Sequence, residues 1–169
     1  TMVLGTAEGG LVITLYMVNN LTDKMLTDYA TVNDYYFHTM HHEFTHILNQ
    51  KIPYDENFQH ISEGNYVSGD WYQKRTSAAN KKGFVTPYAM SEPLEDFAEM
   101  LSVYVTTSPS GWQKIMDTAG TTGAPFIQAK LDMVRTYMKN SWKLDIDELR
   151  SIVLRRASEI NHLDLNQLK

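Results

Sequence analysis

His41-His42-Glu43-Phe44-Thr45-His46-Ile47-Leu48-Asn49-Gln50 is the stretch from which the rest of the chain is read. It lies in a segment, Val32 to Gln50, where Phe37, Met40, Phe44, Ile47 and Leu48 recur at helical spacing, which predicts a helix with one apolar side. On such a helix, residues four apart project from the same face, one turn above each other. His42 and His46 can therefore offer imidazole nitrogens to one ion, and zinc binds such nitrogens at roughly 2.0–2.1 Å. Glu43 is turned about 100° from His42. From there its carboxylate reaches a metal-activated water without itself ligating, the arrangement a hydrolase needs to remove the proton of that water.

Two histidines leave a catalytic zinc short of its usual three protein ligands. The text downstream supplies candidates. Glu92 to Val105 reads as a second helix, with Ser91 as its N-cap and Pro93 in its first turn. On it Glu95 and Glu99 again stand four apart, so that one can bind the metal while the other takes the free N–H of a ligating histidine. Acidic residues near a helix N-terminus also complement the dipole, which accounts for Glu95 better than for the deeper Glu99.

The wider chain agrees with a water-filled catalytic site on a soluble scaffold. Its 169 residues, 43% hydrophobic and 21% charged, suit one compact domain over 1–169. The formal net charge of −5 argues against a nucleic-acid partner. No apolar run is long enough for a transmembrane helix. With no cysteine, disulfides, thiolate metal sites and cysteine nucleophiles are excluded.

HExxH followed by a helix carrying glutamates resembles the gluzincin class of zinc peptidases. Tyr88, then Glu95, then Phe97-Ala98-Glu99 is similar to the corresponding text of the catalytic domain of anthrax lethal factor. Gly5-Thr-Ala-Glu-Gly-Gly10, the apolar run after it, His41 to Gln50 and Pro87 to Glu99 together resemble the zinc-binding metallopeptidase lipoproteins of Bacteroidetes, linked to nutrient import. The resemblance covers residues 3 to 105, and the C-terminal helices match only in general character. It implies a zincin-like fold, α+β and mainly α, with a small sheet over the HExxH helix and C-terminal helices closing the lower part. It implies Zn2+ held by His42, His46 and Glu95, with Glu43 as general base and Glu99 orienting a ligating histidine. Tyr88 then stabilises the oxyanion of a peptide or protein substrate. It also implies a cell-envelope location, as an outer-membrane lipoprotein or in the periplasm, with a lipid anchor in a region upstream of Thr1 and association with outer-membrane nutrient-import components. The rival expectation is a non-catalytic surface accessory that binds glycan or protein and retains the zinc.

Around these motifs, Leu11 to Val18 is rich in β-branched residues and bounded by turn formers, and reads as a strand. The resemblance implies that it borders the cleft, where a peptide could add as a further strand. Residues 51 to 87 read as irregular, pinned by Tyr54, Phe58, Tyr66, Trp71 and Tyr72, chiefly by burial of those rings. Further helices are expected near Trp112 to Asp117, from Pro125 to Lys139, and from Asp145 with its Asp145-x-x-Glu148 capping pattern to Ile160. His38 is a candidate for contact with the site, and would be the fourth ligand if the zinc were structural. His41 is expected to be a buried, hydrogen-bonded core residue, and His60 is a weaker candidate for the cleft.

Overall fold

The computed structural model describes residues 3–20, 22–159 and 162. The chain opens with an antiparallel hairpin of β1 (Gly5–Glu8) and β2 (Val12–Leu15), Gly5 opposite Leu15 and Glu8 opposite Val12. The expected strand over Leu11 to Val18 is thus cut to four residues, and a partner strand precedes it. Its end has a local cause: Met17 adopts a left-handed φ of 65°, and Val18–Asn20 turns into a 3-10 helix.

Two short helices follow, α1 (Asp23–Leu26) and α2 (Tyr29–Val32). Thr22 and Asp28 cap them by accepting the amides of Met25 and Ala30. A π-helical turn, Asn33–Phe37, then leads into α3 (His38–Lys51), which carries the histidines. Of the apolar face expected on α3, Leu48 is buried and Ile47 partly so, but most of what the helix buries is polar. Thr39, His42, Glu43, Thr45, Leu48 and Asn49 are buried, whereas Met40 and Phe44 are about 40% exposed. A helix that delivers polar groups to an interior site must turn them inward, and the apolar residues opposite are left outside.

The region expected to be irregular holds α4 (Asn57–His60), α5 (Thr76–Lys81) and a 3-10 turn, Trp71–Gln73, and a second 3-10 turn, Tyr88–Met90, follows it. Aromatic packing fixes its first half: Tyr54 stacks on Phe97 at 4.3 Å, and Phe58 meets Phe97 edge-on at 4.9 Å.

At the centre runs α6 (Pro93–Thr106), buried continuously from Asp96 to Thr106. Pro93 occupies its first turn as expected, but Glu92 is the N-cap, and the Ser91 hydroxyl donates to the Tyr88 carbonyl instead. The polar residues on a helix this deep need internal partners. Ser102 donates to the Glu99 carbonyl and Thr106 to that of Ser102. α7 (Pro109–Trp142) covers the two helices expected there, broken at Gly120, whose φ of 60° and ψ of −163° only glycine adopts readily. α8 (Ile146–Glu159) starts where Asp145 accepts the amides of Asp147 and Glu148. The expected end of this helix, Ile160, lies outside the described residues.

The core between α6 and α7 contains one charged pair. Lys130 Nζ lies 2.6 Å from Asp96 Oδ2, and both side chains are fully buried. The amine also donates to the Gly83 carbonyl at 2.8 Å and sits 3.9 Å from the Phe84 ring centre, while Tyr66 donates to the same carboxylate at 2.9 Å. One buried amine therefore joins α6, α7 and the segment before Tyr88.

Candidate metal centre

α3 and α6 pack side by side, and their facing polar residues meet. His42 Nε2 lies 2.8 Å from Glu95 Oε2, His46 Nε2 lies 3.3 Å from the same oxygen, and the two Nε2 atoms are 3.0 Å apart. A tetrahedral ion binding at roughly 2.0–2.1 Å keeps its ligand atoms about 3.3 Å apart, so the three atoms fit one. The chemistry of the donors agrees. A single proton can bridge only one of these three contacts, whereas a cation satisfies all of them together.

The surrounding charge points the same way. Burial opposes protonation of His42, yet the flanking carboxylates of Glu95 and Glu99 outweigh it and lift its pKa to about 10. Burial alone would raise Glu95, but hydrogen bonds from His42 and His46 hold its carboxyl down, at about 2. Such a site concentrates negative potential that a divalent ion would neutralise.

Behind this trio, Glu99 Oε1 lies 2.8 Å from His42 Nδ1 and 2.8 Å from His38 Nε2, and Glu99 Oε2 accepts from the Thr86 hydroxyl at 2.5 Å. Despite full burial its carboxyl is held well below the ordinary range, by His38 and His42. Glu99 Oε1 is thus placed to accept an Nδ1–H from His42, and that tautomer turns the Nε2 lone pair toward Glu95 and His46. His46 differs: its buried Nδ1 has no partner among the described residues. His38 is no fourth member of the trio, because its ring nitrogen is engaged with Glu99.

Glu43 is 8% exposed, and burial raises its carboxyl despite the opposing charges of His42 and His46. It lies against β1. A Cβ on Gly5 would stand 2.7 Å from Glu43 Cγ and 2.8 Å from Thr39 Cγ2, so only glycine lets the strand approach α3 here. A Gly5→Ala variant is expected to lose about 1–3 kcal/mol by overpacking, read in a urea titration. Tyr88 packs its ring 5.7 Å from that of His42, and burial together with the nearby Glu95 pushes its phenol well above its ordinary value. A cavity of about 480 Å³ opens beside these residues, walled by His42, Glu43, Thr86, Tyr88 and the start of β1 at Val3 to Gly5. The strand on the cavity is therefore β1, not the expected Leu11 to Val18 segment.

His42, Glu43, His46, Tyr88, Glu95 and Glu99 are brought together. Tyr54, Tyr66 and Trp71 are partly buried against the core, as expected, and Trp71 also lines the cavity; Tyr72 lines it too but is exposed, so the expectation of burial fails for Tyr72 alone of the four. His60 is exposed and pairs with Glu63 at 3.1 Å, away from the cavity. His41 is partly buried, but it takes no side-chain hydrogen bond among the described residues; burial lowers its pKa to about 4. Thr86 and Gly5 were not singled out from sequence. Thr86 had a weak signal, two residues before Tyr88, and Gly5 had none beyond its place in the Gly5 to Gly10 text.

The family model described as "Putative zinc-binding metallo-peptidase" matches residues 1–147. Among solved structures, the crystal structure of a putative zinc-binding metallo-peptidase from Bacteroides caccae is similar, with 47% identity and a TM-score of 0.86. The match covers 99% of this chain and 63% of that one, so the chain spans somewhat under two thirds of its neighbour. No curated protein matches.

Proposed function

Because the chain belongs to the family of putative zinc-binding metallo-peptidases, we propose that it hydrolyses peptide bonds with a zinc ion held by His42, His46 and Glu95. The observation that carries this reading is the convergence of those three ligand atoms beside a buried carboxylate that takes no hydrogen bond among the described residues, at the wall of a cavity. When bound, the zinc supplies Lewis acidity toward a carbonyl and toward water. The chain's own residues do the rest. Glu43, whose carboxylate takes no hydrogen bond among the described residues, accepts the proton of the attacking water and passes it to the leaving amine. The Tyr88 phenol, kept protonated by burial and the surrounding carboxylates, donates to the developing oxyanion. Glu99, fixed by Thr86 and His38, holds the His42 ring in one tautomer.

The reading places the chain with gluzincins of a zincin-like fold and uses the edge of β1 turned away from β2, where the Gln50 amide already donates to the Ala7 carbonyl, for an extended substrate. Similarity to the lethal-factor catalytic domain rests on Tyr88, Glu95 and Phe97-Ala98-Glu99. No helix among the described residues is long and apolar enough to cross a membrane. An envelope location with a lipid anchor, and association with nutrient-import components, enter the proposal on the family resemblance only.

Metal content tests the centre. Protein purified without added metal, or reloaded and freed of excess, is expected to hold about one zinc per chain, and Glu95→Ala to lose it. Equal zinc in both, or none in either, would overturn the ligand assignment. A peptide library on the loaded protein then tests the reaction.

A further inference from the structure

The cavity is lopsided about the three converging ligand atoms. His42 and Glu43 stand on its wall, while His46 and Glu95 do not, so it runs from the centre along the N-terminal part of α3, past Thr39 and His38. Beyond Glu43 its surface is mostly carbon. The Trp71 ring meets Tyr88 edge-on at 4.8 Å and Tyr72 at 6.1 Å, making a continuous aromatic wall, with Leu4 and Pro87 completing it. The inner polar groups are already engaged: both oxygens of Glu99 are taken by His38, His42 and Thr86. Apart from the reacting groups, few polar side chains are left open to the cavity, the Thr39 hydroxyl among them, and the Glu43 carboxylate repels an anionic guest. At the rim, Lys74 and Asp34 are exposed and opposite in charge.

We infer that this arm of the cavity is a specificity subsite for a bulky apolar side chain, aromatic before aliphatic, on the substrate residue that flanks the scissile bond. The inference rests on the peptidase reading above. The volume of about 480 Å³ leaves room for a phenyl or indole group beside the reacting atoms. Trp71 and Tyr72 act as specificity residues. They offer offset and edge contacts to an aromatic guest, and a small guest leaves their faces wet.

The test uses amino-acid hydroxamates, which bind zinc through the same group and differ only in side chain, measured by calorimetry on the zinc-loaded chain. The phenylalanyl compound is expected to bind on the order of 10- to 100-fold tighter than the glycyl one, with the leucyl compound between them and the glutamyl compound no better than glycyl. Trp71→Ala and Tyr72→Ala are each expected to shrink the phenylalanyl-over-glycyl ratio. Tyr72 is 62% exposed, so its truncation leaves the fold intact. Tight binding with a flat side-chain profile, or a preference for glutamyl or lysyl, would overturn the subsite and leave the peptidase reading standing. So would variants that weaken every hydroxamate alike. Failure of all hydroxamates on protein shown to carry zinc would overturn the peptidase reading, and the subsite with it.

Discussion

Replacing Glu43 by Gln is expected to lower kcat on peptide substrates by about 10²- to 10⁴-fold while zinc content stays at the wild-type level. Gln keeps the volume of the side chain and its contact with Gly5, so the strand above α3 need not move. It removes the one property the proposed reaction needs, the capacity to take a proton. Glu43 suits that role because it is buried and, among the described residues, nothing hydrogen-bonds its carboxylate. It also stands outside the trio that His42, His46 and Glu95 complete. Zinc measured by mass spectrometry and steady-state rates on the same samples separate the two effects. A variant that lost both would place Glu43 among the ligands. One that kept full turnover would end its role as base. An accessory protein that merely binds its partner has no use for a base here, and its ligand affinity would ignore the substitution.

The parts of this site that were legible in the sequence are those set by helical repeat. His42, Glu43 and His46 on α3, and Glu95 and Glu99 on α6, each follow from which residues share a face. Spacing alone left open which glutamate joins the histidines. The packing of α6 against α3 brings Glu95 to the two Nε2 atoms and Glu99 to His42 Nδ1, in line with the family resemblance. Contacts made by residues far apart in the chain were not legible. The Thr86 hydroxyl and the His38 ring reach Glu99 from a loop and from the start of α3; the place of His38 one turn before His42 made it a candidate for the site, but neither residue's local text names Glu99 as its partner. β1 is four residues without an apolar alternation, and a hairpin needs its partner before either strand is recognisable. The apolar face expected on α3 failed in part, for a related reason. Periodicity locates a helix but assumes that its buried side is apolar, and on α3 that side carries the candidate ligands. Lys130 shows the same limit: no pattern announces a fully buried lysine, because its partner Asp96 lies 34 positions earlier on another helix.

That pair gives the largest expected effect on stability. Lys130→Met keeps the length of the side chain and removes its charge, and is expected to cost about 3–5 kcal/mol near pH 8 by leaving the Asp96 carboxylate buried and unpaired. The penalty should depend on pH, and its sign can be worked out. In the intact pair, burial already pushes the Asp96 carboxyl up, to about 6, against the lowering influence of Lys130. Without the amine that influence is lost, and the folded-state value rises further above the ordinary value of about 3.9 expected when unfolded. A group raised in this way binds its proton in the folded state first, so the variant loses stability as pH rises through the folded value and regains it on acidification. Urea titrations should therefore show a larger gap between wild type and Lys130→Met at pH 8 than at pH 5. Adding Asp96→Asn should close much of the gap at pH 8, since the amide still accepts from Tyr66 and carries no charge. A gap that ignores pH would mean that the loss comes from the abandoned Gly83 carbonyl and the packing on Phe84, not from an unpaired carboxylate. Either outcome bears on the metal centre. Asp96 adjoins Glu95 on α6, and Gly83 lies three residues before Thr86, so this amine braces two of the segments from which the centre is built.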